Sequence, residues 1–107
     1  MLNLQVTNLE SPRTGAKVAN QFIIECNNPW KKTTTFQSYN SKIITIDWDN
    51  KEARIYKDYN YSKTTSKYLK QFIFMNYHPI DADVIIGYIK KWVDFEQNGN
   101  KFYFITD

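Results

Sequence analysis

The sequence predicts an α+β fold: a mostly antiparallel sheet of about five or six strands with two helices packed on it. Three observations carry that expectation. Apolar and β-prone runs separated by turn residues fill the chain to about residue 56. Beyond them the apolar period changes to that of a helix, twice in succession. An aromatic run, "KFYFIT", then closes the chain.

The elements follow in order. "LNLQVTNL" alternates Leu2, Leu4 and Val6 and reads as a short strand, and "SPRTG" places Pro12 and Gly15 for a turn. "VANQFIIEC" reads as a central strand, ended by the Pro29 segment "NNPWKK". "TTTFQSY" is a third strand with Phe36 and Tyr39 as packing candidates. "KIITIDW" is a fourth, with Ile44 and Ile46 on one face. "DWDNKEA" supplies Asp and Asn for a hairpin turn, and "ARIYK" returns as a fifth strand.

At about 100° per residue, Tyr61, Thr65, Tyr68, Leu69, Phe72 and Ile73 share one side of a first helix. Ser62 is its expected N-cap. Lys63, Lys67 and Lys70 fall on the opposite side, and so does Phe74. A second helix is expected over "HPIDADVIIGYIKKWVDFE". Asp81 caps it, Asp83 suits its positive end, and Ile80 and Ile85 have staple spacing. Its apolar arc includes Ile85, Ile86, Tyr88, Ile89, Trp92 and Val93, and Gly99 ends the segment. The expected core comprises Phe22, Ile24, Ile44, Ile46, Leu69, Phe72, Ile89 and Trp92.

A length of 107 residues suits one domain spanning 1–107, with 42% hydrophobic and 17% aromatic residues to build its core. Three Gly and three Pro mark no linker. No run of about eighteen apolar residues exists to cross a membrane, and the first fifteen residues lack the pattern of a signal peptide. The lone Cys26 excludes an internal disulfide and fits a reducing compartment. The net charge is +3, but it is unevenly spread. Residues 31–70 carry nine Lys/Arg against four Asp/Glu, and residues 71–107 carry three against five. The middle is basic, and five of the eight tyrosines lie in it.

Catalytic chemistry finds little support. One histidine (His78, before Pro79) and one cysteine do not make a Cys/His zinc site. Cys26 reads as a small buried hydrophobe, without the partner base a reactive thiol needs. Asp47 and Asp49 could hold a divalent cation, but a strand end followed by a turn attracts Asp for its own reasons, and "EAR" stands where a nuclease would carry Glu-x-Lys. No phosphate-binding or nucleophile-elbow motif occurs. The expectation is a non-enzymatic binding protein with no catalytic residue, metal or cofactor.

"YNYSKTTSKYLKQF", residues 59–72, is where a partner is expected. A helix start presents free N–H groups and partial positive charge, to which serines, threonines and lysines add donors and cations. Basic residues interleaved with aromatics also hold single-stranded nucleic acid. The plain alternative is a well-capped helix with a solvated lysine face. Phe74 on the lysine side means either that the helix has ended by then or that an exposed aromatic marks a contact surface. The expected partner-binding residues are Tyr59, Lys63, Thr64, Ser66, Lys67, Lys70 and Phe74.

"SPRTGAKVANQFIIE", "FQSYNSKIITID" and "YNYSKTTSKYLKQF" together resemble a small domain of phage and prophage proteins from low-GC bacteria. The resemblance covers residues 11–73; residues 74–107 add the C-terminal helix and strand. Tyr59-Asn60 stands where Trp-Asp is common in that family. No biochemical activity comes with the resemblance. It implies an accessory protein acting in the host cytoplasm, which binds a host macromolecule and inhibits it, as anti-CRISPR and anti-restriction proteins do. Inhibitors that imitate DNA are strongly acidic, and this chain is not, so the expected mode is occlusion of a host-protein surface, such as that of a defence nuclease complex, or of a guide-RNA contact. The alternative is a nucleic-acid-binding protein that uses the basic, Tyr-rich centre.

Overall fold

The computed structural model describes residues 3–60 and 62–105. Leu2, Tyr61 and Thr106, all assigned to elements above, lie outside the described residues. Seven strands form one sheet: β1 (Asn3–Glu10), β2 (Lys17–Asn27), β3 (Lys32–Ser38), β4 (Ser41–Asp47), β5 (Glu52–Tyr56), β6 (Phe95–Gln97) and β7 (Asn100–Ile105). Their order is β1-β2-β3-β4-β5-β7-β6. Every pairing is antiparallel except β5 with β7. That parallel pair requires a crossover. A 3-10 turn (Lys57–Asn60), helix α1 (Lys63–Tyr77) and helix α2 (Ala82–Lys90) supply it.

Both helices cover the same sheet face. Phe36 on β3 stacks on Phe72 of α1 with ring centroids 5.6 Å apart, and Phe102 on β7 meets Tyr77 of α1 at 5.2 Å. Phe36 and Phe102 belong to one face because Phe36 registers with Ile44 and Ile55, while Phe102 registers with Ala53 and Ile46. Ile85 and Ile89 of α2 complete the core beneath the helices. Phe72 is fully buried, so truncating it to Ala costs about 3–5 kcal/mol. The other face is open. Across it run Val6, Ile24, Thr35, Thr45, Arg54 and Tyr103 in one register row, with the Thr35 and Thr45 hydroxyls 3.0 Å apart.

Helix α1 buries Thr65, Tyr68, Leu69, Phe72, Ile73 and Tyr77, the stripe expected from its period with one further turn added. Both expected caps form. The Ser62 hydroxyl accepts from the Thr65 N–H, and the Asp81 carboxylate accepts from the Asp83 N–H.

The structure departs from expectation at several places, among them Tyr39, which lies beyond the end of β3 in left-handed backbone and is exposed, and Val93, which is exposed outside the second helix. The sheet has seven strands, not five or six, because the second helix stops early. Lys91 caps it and Trp92 enters left-handed backbone (φ 56). Asn98 and Gly99, both with positive φ, then turn a tight hairpin between β6 and β7. Phe95, expected in the helix, instead stacks on Phe102 from β6.

Phe22 and Ile24 are only half-buried, on the open face. The core positions of β2 fall to Gln21 and Ile23, because Ile23 pairs with Phe36. Trp92 is half-buried outside any helix, between Tyr59 (5.4 Å) and Phe104 (4.3 Å). Cys26 is also half-buried, on the open face next to Leu4.

Candidate functional site

The first turn of α1 follows from its sequence. Ser62 sits in extended backbone and its Oγ accepts from Thr65 N at 3.0 Å, while Ser62 O accepts from Ser66 N. Thr65 is fully buried, and its hydroxyl lies 2.9 Å from Ser38 on β3. The helix start is thereby fastened to the sheet with Lys63, Ser66 and Lys67 turned outward. No acidic residue stands in this first turn, so the positive end of the helix dipole is uncompensated locally.

Helix α2 runs beside α1, and a groove of about 800 Å³ lies between them. Lys63, Ser66, Lys67 and Lys70 of α1 and Asp83, Ile86 and Lys90 of α2 line it. Leu69 and Ile89, both core residues, form its floor. Tyr59, Asn60 and Ser62 also line it. On each helix the lining residues recur at a spacing of three or four, the spacing of one helix face. Four lysines against one carboxylate give the lining a positive excess. Lys70 donates to Asp83 at 2.7 Å, and that contact, followed by the carboxylate's charge, raises the Lys70 ammonium above its ordinary value. Lys67 Nζ lies 5.2 Å from the Tyr68 ring centroid.

The structure thus brings together five of the seven expected partner-binding residues: Tyr59, Lys63, Ser66, Lys67 and Lys70. Thr64 is exposed but does not line the groove. Phe74 lies in an adjoining hollow of about 580 Å³, shared with Lys67, Lys70, His78 and Ile80. Its ring is exposed and meets the His78 ring edge-on at 5.3 Å. Tyr59 is half-buried, with one ring face against Trp92. Lys90, Ile86 and Asp83 were not among the expected contacts. Their spacing along α2 was the available signal, but only the packing of α2 on α1 turns it toward the lysines.

Both carboxylates of the Asp-Trp-Asp-Asn turn are engaged by donors of the protein itself. The Asp47 carboxylate is buried and accepts from Asn50 Nδ2 (2.9 Å) and the Asp49 N–H (3.2 Å). The Asn50 side chain is the chief reason its pKa is lowered. Asp49 accepts from the Lys32 N–H at 2.9 Å. Among the described residues no three His, Cys, Asp or Glu side chains converge as a metal-binding group. Nor, among them, is any helix long and apolar enough to cross a membrane.

An α+β protein with one seven-stranded, mostly antiparallel sheet and a basic groove between two helices is the class these features define. More particularly, the chain belongs to a family of unknown function, DUF8033, whose family model matches residues 4–87. The match runs from β1 into α2 and contains most of the groove lining. No curated protein and no solved structure matches the chain.

Proposed function

We propose that this chain is a non-enzymatic phage accessory protein that binds a host protein through the groove between α1 and α2 and inhibits it. A component of host defence, the target of an anti-CRISPR or anti-restriction inhibitor, is the expected class of partner. The observation that carries the proposal is the groove itself: a lysine-rich lining, with Ile86, above an apolar floor of Leu69 and Ile89. That combination suits a polypeptide segment bearing both carboxylates and apolar side chains, since the floor takes the apolar groups and the lysines select for charge. The positive lining also argues against imitation of DNA. The phage setting rests on the motif resemblance of residues 11–73. The non-enzymatic part is supported by Asp47, whose carboxylate holds its turn, and by Asp49, whose carboxylate accepts from the Lys32 N–H.

Binding of single-stranded nucleic acid is the second reading, favoured by the four lysines and by the Ser62 and Ser66 hydroxyls. Its stacking platforms at the groove are few, because Tyr59 already has one ring face against Trp92 and Tyr68 is buried.

Capture from host lysate with immobilised protein tests both. The expected result is a partner retained after nuclease treatment and lost with the Lys63→Glu/Lys67→Glu variant. Capture abolished by nuclease, with tight oligonucleotide binding whose affinity falls steeply with salt, would favour the second reading. A partner retained equally by the variant would overturn the groove as the site.

A further inference from the structure

We propose that the chain self-associates through the outer edge of β1, forming a two-fold dimer in which the seven-stranded sheets of two copies join into one. This inference is independent of the groove, which lies on the helix-covered side.

The two sheet edges differ. One is β6, only three residues long, with Glu96 in it and Asp94 just before it. Shortness and charge are how edges are protected from pairing. The other is β1, eight residues long, which among the described residues pairs only with β2. Its sole charged residue is Glu10, beyond the point where the ladder shifts register between Asn8 and Glu10. From Asn3 to Asn8 the outer edge therefore offers backbone donors and acceptors with neither lysine nor proline to deter another strand.

The side chains favour a second copy as that strand. Leu4 and Val6 are 59% and 56% exposed on the open sheet face, beside the half-buried Cys26 and Ile24. A two-fold axis through Gln5 pairs Leu4 with the partner's Val6, and Val6 with the partner's Leu4. Each apolar row then continues across the junction, with Ile24 and Val6 followed by the partner's Leu4 and the partner's Cys26. A register slipped by one residue would set these apolar residues against polar ones, which opposes slippage. No charged residue lies between Asn3 and Thr7, so no like charges meet across the axis. The symmetry is that of an isologous interface, the commonest kind in homodimers.

Sedimentation equilibrium over a concentration series tests the proposal. The wild-type chain is expected to show a monomer–dimer equilibrium, which Val6→Lys weakens by about tenfold or more. Position 6 is exposed at a sheet edge, and an unchanged circular dichroism spectrum verifies that the variant is folded. Oxidative cross-linking in a Cys26→Ser background tests the register. Gln5→Cys, on the axis, should form a covalent dimer readily, and Thr7→Cys should not. A wild-type chain that stays monomeric throughout, a dimer indifferent to Val6→Lys, or cross-linking of Thr7→Cys in preference to Gln5→Cys would each overturn the proposal.

Discussion

Lys70 and Asp83 meet at 2.7 Å and tie α1 to the first turn of α2 among the residues that line the groove. Both side chains are solvent-exposed, so salt screens the pair. Its consequence is electrostatic: Asp83 is the lone carboxylate among the lining residues and neutralises one of four lysines. Asp83→Asn is expected to tighten binding of an acidic probe, polyglutamate, by a few-fold at low salt, with the gain disappearing at high salt. Titration calorimetry of both forms at two salt concentrations checks this. No gain at low salt would show that the groove does not bind the probe.

The Ser62 cap has a separable, structural role. Its hydroxyl accepts from Thr65 N and lies 3.0 Å from the Thr65 hydroxyl. Ser62→Ala is expected to cost about 1 kcal/mol in urea unfolding, while Lys63→Glu/Lys67→Glu changes stability by less than about 1 kcal/mol. A larger loss in the lysine variant than in Ser62→Ala would mean that the lysine face is a structural element.

The Ser38–Thr65 contact, at 2.9 Å, is fully buried and joins β3 to α1. Thr65→Val takes the Thr65 partner from the buried Ser38 hydroxyl and is expected to cost about 1–3 kcal/mol, whereas Ser38→Ala leaves the Thr65 hydroxyl its contact with Ser62 and is expected to cost less. The double variant removes both hydroxyls, so its loss should be smaller than the sum of the single losses. Additive losses in a double-mutant cycle would show that the two hydroxyls do not depend on each other.

Tyr77 is buried between Trp48 and Phe102, and burial pushes its phenol pKa up from the ordinary value of 10.0. The folded state therefore keeps the proton where the unfolded chain loses it. The resulting stability is fully present below about pH 10 and is lost as pH rises further, at up to about 1.4 kcal/mol per pH unit. Tyr77→Phe should flatten that alkaline loss. Equal pH dependence of unfolding in the two forms would show that Tyr77 ionises freely in the native state.

Purified protein is expected not to hydrolyse DNA, RNA or nucleotides with Mg²⁺ or Mn²⁺, since the Asp47 carboxylate serves its turn and the Asp49 carboxylate accepts from the Lys32 N–H. Asp47→Ala should instead lower stability, by releasing the Asn50 and Asp49 contacts. Cleavage that vanishes in Asp47→Ala would reverse this assignment.

The sequence by itself determined whatever depends on neighbours along the chain. The buried stripe of α1 was legible because Thr65, Tyr68, Leu69, Phe72 and Ile73 repeat at the helical period. Ser62 and Asp81 were legible as caps because capping is a local bond to an amide two or three residues on. Lys63, Lys67 and Lys70 were legible as one face for the same reason. Asn98-Gly99 was also a local hairpin signal, but a three-residue strand is too short to announce itself against the preceding helix pattern.

Tertiary structure alone decided the rest. In β2, "FII" is apolar at three successive positions, so alternation could not choose a face. Pairing of Ile23 with Phe36 did, and it turned Phe22 and Ile24 to the open side. Lys90, Ile86 and Asp83 face the α1 lysines only because α2 packs beside α1 within the β5-to-β7 crossover. Periodicity reports which residues of an element share a face, whereas which faces meet is set by packing between elements distant in sequence.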